Sequence, residues 1–313
     1  MPRWLQWVAY AGVFLFSYLF FVYWMFPMEA LKSRLILSLE KNLGPDYQVS
    51  IESMETYRLT GASLEEMVIH TLRDGKKTAV LRIGRISGRA GLFSLLFGNP
   101  RVRFSMKLPK GRLAGTVQKK EEGFRIEGDL DKIDLGKIPY LHEVAGLNLV
   151  SEIGGAFNLD YNPQQPLRTA GEIEMRIEKL YLKKSTVSFG GMENFPLPDL
   201  ILTKEPSKMK AEIGRGSMRV EAFQFKGDDL QLDLKGRIFM ASEAARYRIN
   251  LQGNFQFSDK LWQVFDPLLP EAFAAELKKQ AGQAGSYPIS VSGQLSSPQV
   301  YSGAVRIYPF KPF

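Results

Sequence analysis

The sequence predicts a mainly β protein: an N-terminal transmembrane helix followed by an elongated, curved antiparallel β-sheet, built as a groove or an open sandwich, with a few short helices. Three observations predict it. A charge-free apolar run stands near the N-terminus, period-two alternation dominates from about Val49 onward, and Gly is abundant at 28 residues, as many short strands joined by turns require.

The apolar run extends from Val8 to Phe26, close to the ~20 residues a helix needs to cross the hydrocarbon core of a bilayer. Ten of its residues are Val, Leu or Phe, which together favour insertion by about 3–6 kcal/mol. Trp7, Val8, Phe14, Phe16, Phe20, Phe21, Trp24 and Phe26 are the expected anchor residues, with the tryptophans near the two ends where amphipathic rings prefer the interface. A cleaved signal peptide would have a shorter core and a small-x-small site; Tyr23-Trp24-Met25-Phe26-Pro27 has no small residue, so the anchor reads as uncleaved. Arg3 and the terminal amine precede the run, and Lys32, Arg34 and Lys41 follow it, a count that leans slightly against placing the large domain outside.

Three segments follow from this pattern. Residues 1–27 are a short tip and the anchor, residues 28–45 an amphipathic juxtamembrane helix, and residues 46–313 a β-rich domain with a candidate sub-boundary near 162–166, at Asn162-Pro163-Gln164-Gln165-Pro166. In the helix Leu31, Leu35, Leu39 and Leu43 recur every four residues, and Gly44-Pro45 stops it. Such a helix either lies on the membrane, covers an open end of the β domain or packs into its core.

In the β region Leu230, Leu232, Leu234, Ile238 and Met240 share one face, and Tyr247, Ile249, Leu251, Phe255 and Phe257 repeat the arrangement. Val102 to Leu108, Phe124 to Leu130, Phe157 to Tyr161 and Ile289 to Leu295 alternate in the same way. One apolar and one wet face argue for antiparallel strands. Two strands change phase, at Ile177 to Leu180 and at Val220 to Phe223, and a β-bulge restores the inward direction after such a slip. Short helices are expected at Leu92–Phe97, Leu261–Phe265 and Glu271–Gln280, and an irregular stretch at Gly190–Pro198. Leu232, Leu234, Ile249, Leu251, Phe255, Ile289 and Val291 are the candidate apolar groove; alternation alone does not separate a groove from a closed sandwich.

Little chemistry is written in the chain. It has no Cys and only two histidines, His70 and His142, each read as structural. Asp129, Asp131 and Asp134 resemble part of a calcium loop without its glycine and distal Glu. Gly214-x-Gly216 lacks the third glycine of a dinucleotide fingerprint, and no Gly-x-Ser-x-Gly elbow occurs. No catalytic, metal or cofactor site is expected. The net charge of +8 favours anionic surroundings such as phospholipid headgroups. Its lysines are scattered as pairs, such as Lys76-Lys77 and Lys119-Lys120, which argues against nucleic acid.

Several segments carry a resemblance: Leu92-Phe-Ser-Leu-Leu-Phe-Gly-Asn-Pro100 leading into Arg101 to Leu108, Gly111-Arg-Leu-Ala-Gly115, Gly128 to Leu135, and the closing Ser292-Gly-Gln-Leu-Ser-Ser-Pro298. With the anchor they resemble the type II secretion system protein N (general secretion pathway protein N) family in its delta-proteobacterial form, and the AsmA-like group more broadly. The resemblance implies a single-pass protein of the bacterial inner membrane, with a cytoplasmic tip and the large domain in the periplasm. It implies a non-enzymatic accessory or assembly subunit of type II protein secretion, partnered by the phospholipid membrane and other secretion subunits. The AsmA-like likeness implies instead a lipid-binding or lipid-transfer module with a lipid ligand in its apolar groove. An envelope enzyme is the third and weakest reading.

Overall fold

Strands with one dry and one wet face pair most simply with their chain neighbours. The computed structural model shows this along nearly the whole chain. The structure describes residues 27–58, 60–73, 75–91, 100–189, 192–241, 246–266, 285–303 and 305–309, with single positions scattered before residue 27 and at 275 and 279.

Helix α1 (Met28–Leu43) leads into β1 (Tyr47–Tyr57), β2 (Gly61–Arg73), β3 (Lys76–Ala90), β4 (Arg101–Lys107), β5 (Arg112–Lys120), β6 (Gly123–Ile133), β7 (Asn148–Tyr161) and β8 (Ala170–Lys183). A hairpin, β9 (Ser185–Phe189) and β10 (Met192–Leu197), and a short β11 (Leu200–Thr203) interrupt the run. It resumes with β12 (Ser207–Gly214), β13 (Ser217–Lys226), β14 (Leu230–Phe239), β15 (Arg248–Phe257), helix α2 (Asp259–Phe265), β16 (Tyr287–Gln294), β17 (Ser297–Ser302) and β18 (Val305–Pro309). Sixteen strands form one antiparallel meander, β1 to β8 followed directly by β12 to β18, with β11 sharing the outer edge of β8; β9 and β10 pair only with each other. The loop at 162–166 joins β7 to β8, which pair along most of their length. The stretch expected to be irregular, Gly190–Pro198, contains strand β10, which pairs with β9 just ahead of it. The expected helices at 92–97 and 271–280 lie largely or wholly outside the described residues.

Both expected bulges are present. The β7–β8 register skips between Glu152 and Ile153, which face Lys179 and Ile177, and Ile177 and Leu180 are both buried across the slip. The β13–β14 register skips between Val220 and Phe223. A third phase change is shared by three strands: the apolar positions move from Ile51 to Met54, from Met67 to Leu64 and from Ile83 to Ile86. Glu66, at φ +46°, sits at the slip.

Helix α1 covers this end of the sheet. Leu35, Ile36 and Leu39 pack on Val49, Ile51, Met67 and Ile83, while Leu31, Leu37 and Leu43 stay exposed. The packed seam is therefore narrower than the four-residue leucine stripe. The helix also occupies the free edge of β1. Glu40 Oε1 accepts the Val49 N–H at 2.9 Å, and Lys32 Nζ donates to the Glu52 carbonyl at 3.3 Å. Side chains thus take up edge groups that would otherwise template another strand.

A buried polar knot holds the β6–β7 connection. Asp134 accepts from the backbone N–H of Gly136 at 3.1 Å and of Ser151 at 3.0 Å, and Lys110 reaches it at 3.4 Å. Burial alone would raise this carboxyl's pKa, but the two N–H groups and the Lys110 ammonium outweigh it and hold the pKa below the ordinary 3.8. A folded-state pKa below the unfolded one adds stability above the unfolded value, and this is lost as pH falls through the folded value. Asp134→Ala should therefore cost about 2 kcal/mol near neutral pH, measured by urea unfolding, and the gap from wild type should shrink below about pH 4.

Candidate functional site

Register places the apolar residues of every strand on one face, in rows that run across the sheet. One row passes through Met54, Leu64, Ile86, Met106, Leu113, Leu130, Gly155, Met175, Met209, Phe223, Leu234, Gly253 and Ile289, one residue from each of thirteen consecutive strands. At about 4.8 Å per strand it is roughly 58 Å long. The next row toward the hairpin turns includes Phe104, Gly115, Gly128, Phe157, Ile173, Ala211, Val220, Gly236, Leu251 and Val291. A third includes Val102, Val117, Ile126, Leu159, Ile213, Met218, Ile238 and Ile249. On the other side of the first row lie Ile153, Ile177, Leu232, Phe255 and Tyr287. Two residues per step at about 3.4 Å each make the four rows roughly 20 Å wide.

All seven residues expected to form the groove fall on this face, on β14, β15 and β16. Leu234, Ile249 and Phe255 are buried, and Leu232, Leu251, Ile289 and Val291 are half-buried. The sequence reading stopped at three strands, but the same face continues through β4 to β8 and β12 to β13.

Among the described residues the face is covered at its β1–β3 end by α1 and along one side further on. The turn at 135–137 lies over Ile153 and Ile177, and α2 lies over the adjoining end of β8 and β11. Leu135 and Leu202 pack on Ile153 and Ile177, and Leu261 is buried against Leu182 and Leu200. The turn at 140–144 also rests against β3. Trp262 of α2 meets Tyr287 at 5.4 Å and Phe257 at 5.7 Å, and Phe255 stacks on Tyr287 at 5.3 Å. Beyond that wall Leu113, Leu130, Ile173, Met175, Met209 and Phe223 are only half-buried. Two of the buried clusters among the described residues join parts of the large sheet with the helix or turn laid over it, and the third also takes in Leu197 of the separate β9–β10 hairpin.

The opposite face is wet, and it carries ion pairs within and between strands. Glu65 bonds Arg85, Glu127 meets Arg125 at 3.0 Å and Arg101 at 3.6 Å, and Lys210 meets Glu221 at 2.9 Å.

The residues weighed for catalysis or metal binding do not converge. Asp134 is committed to the polar knot, and no group of three or more His, Asp or Glu that could hold a metal occurs among the described residues. His70 lies inside β2, between Gln48 and Ala79; burial, then Lys77 and Arg82, lower its pKa. His142 is exposed on the turn at 140–144. Of the anchor residues, Trp7, Phe14 and Phe21 are described and exposed, while Val8, Phe16, Phe20, Trp24 and Phe26 lie outside the described residues. Among the described residues no helix is long and apolar enough to cross a membrane. Comparison with family models, with curated proteins and with solved structures finds no match.

Proposed function

We propose that the protein is a membrane-tethered, non-enzymatic lipid-handling module whose apolar face shelters the acyl chains of phospholipids. One observation carries this reading: an apolar face spanning thirteen strands has a helix over one end and a wall along one side, and among the described residues its middle rows are only half-buried. Leaving such a face in water is costly at about 25 cal/mol per Å², and exposed apolar patches beyond a few hundred Å² mark interaction sites. The width of roughly 20 Å suits an acyl chain lying along the strands, since one leaflet contributes about half of a ~30 Å hydrocarbon core. The charge-free run from Val8 to Phe26 supplies the tether, which puts the trough within reach of a bilayer.

The family resemblance supports placing the module at the bacterial inner membrane with its large domain in the periplasm. An assembly role in type II secretion is the second reading, and it would use the wet face. The test is lipid extraction from the full-length protein purified in a mild non-ionic detergent. Phospholipid should be retained in stoichiometric amount or above. Lipid-free protein under conditions that leave lipid on a known carrier would turn the assignment toward the secretion reading.

A further inference from the structure

The wet face divides by charge at the boundary between β5 and β6. None of β3, β4 and β5 holds an Asp or Glu. Their wet positions carry Arg85, Arg89, Arg101, Arg103, Lys107 and Arg112. Across the boundary the same face of β6, β7 and β8 carries Glu127, Asp129, Asp131, Asp160, Glu172 and Glu174, against Arg125 and Arg176. A local rule is broken in both halves. Arg89 stands directly opposite Arg103, and Lys107 stands between Arg85 and Arg112. Glu172 faces Glu212 of β12. Like charges in such positions destabilise a sheet.

Internal pairing answers few of these charges. Glu65 bonds Arg85, and Glu127 meets Arg101 and Arg125. Among the described residues no ion pair reaches Arg89, Arg103, Lys107 or Arg112, and none reaches Asp129, Asp131, Asp160, Glu172 or Glu174. All of these but the half-buried Arg89 are exposed. The two halves are also related in position. Arg112 and Asp131 stand opposite each other on the strands that flank the boundary. Arg101 and Asp160 share a row on the next strands out, β4 and β7. Arg89 and Glu172 share a row on the third, β3 and β8. A half-turn about an axis over the boundary and parallel to the strands carries each of these six residues onto one of opposite charge.

We propose that the wet face of β3 to β8 docks a second copy of this chain, related to the first by that two-fold axis. Each basic half then lies over the partner's acidic half, and the same patch serves both subunits, as a two-fold interface requires. The half-turn keeps the strands of the two copies close to aligned, which facing sheets prefer. Charge complementarity selects this occupant. A polyanion would be repelled by the acidic half and a polycation by the basic half, whereas a second copy offers both signs in the matching order. The apolar faces point away from the contact, so the proposal is independent of what the trough holds. Its strength is electrostatic, with no apolar cluster at its centre, so salt should weaken it steeply.

The test is sedimentation velocity on the full-length protein in a maltoside detergent. Wild type should be dimeric in about 50 mM salt and monomeric in about 500 mM, where the screening length falls to roughly 4 Å. Arg89→Glu with Arg112→Glu makes the basic half acidic, and Asp131→Lys with Glu172→Lys makes the acidic half basic. Each double variant alone should self-associate at least about tenfold more weakly, because attraction becomes repulsion at both symmetry-related sites. An equal mixture of the two should dimerise again at low salt. Far-UV circular dichroism confirms that each variant is folded, and the salt series on wild type decides the matter if one is not. Wild type that stays monomeric at low salt overturns the proposal. So does a dimer that ignores salt and both charge reversals, which would place the contact on the apolar face. A mixture of two folded variants that stays monomeric overturns it as well.

Discussion

Leu130→Glu combined with Met175→Glu is expected to strip phospholipid from the purified protein with little loss of stability. Both side chains belong to the central row and flank Gly155 on the neighbouring strand. Both are half-buried, and neither is a buried member of the packed clusters. A carboxylate at such a position reaches water when the trough is empty, so the folding cost should be below about 1 kcal/mol. With an acyl chain over it, each carboxylate would lose that hydration, at several kcal/mol per buried charge. Two of them outweigh the apolar contact a single chain could make across these strands. Extracted lipid should fall at least tenfold, a change of 1.4 kcal/mol, while urea midpoints stay close to wild type. If the face were the inside of a closed sandwich, the double variant would unfold instead.

The second large effect is on the fold. Gly253 stands in the same row, between Leu234 and Ile289. A Cβ there would come within 1.6 Å of the Asp233 carbonyl oxygen and 2.7 Å of its carbon. The contact is backbone, so no side-chain rotation relieves it, and β14 and β15 must move apart. Gly253→Ala should cost about 3–4 kcal/mol by urea unfolding. Gly84 is the control: the nearest atoms to an added Cβ are at 3.6 Å and 3.8 Å, an ordinary contact. Gly84→Ala should change stability by no more than about 0.5 kcal/mol. The contrast separates close strand approach from a general dislike of substitutions at strand glycines.

Much of the architecture was legible in the chain because period two is a local signal. The alternation from Leu230 to Phe257 placed two paired strands on one face, and the slips at Ile177–Leu180 and Val220–Phe223 marked both bulges before any pairing was known. The concerted slip across β1, β2 and β3 was not legible. Ser53, Glu65 and Arg85 sit between the apolar positions, and only the pairing shows that the three strands shift together. Openness was equally hidden, since Leu130 or Met175 would read the same beneath a second sheet. The facing of Arg219 and Arg237 on the wet face is the clearest case. Arg219 meets Arg237 only because the bulge between Val220 and Phe223 moves the β13–β14 register by one residue. Eighteen positions of separation carry no such information by themselves.

Site-specific photocrosslinking in living cells tests the trough most directly. A benzophenone side chain would replace Leu113, Leu130 or Met175 on the apolar face in one series, and Thr116, Asp129 or Glu174 on the wet face in the other. Phospholipid adducts on the first series and none on the second is the predicted outcome. Adducts distributed evenly over both faces, or protein adducts alone on the apolar row, would contradict it.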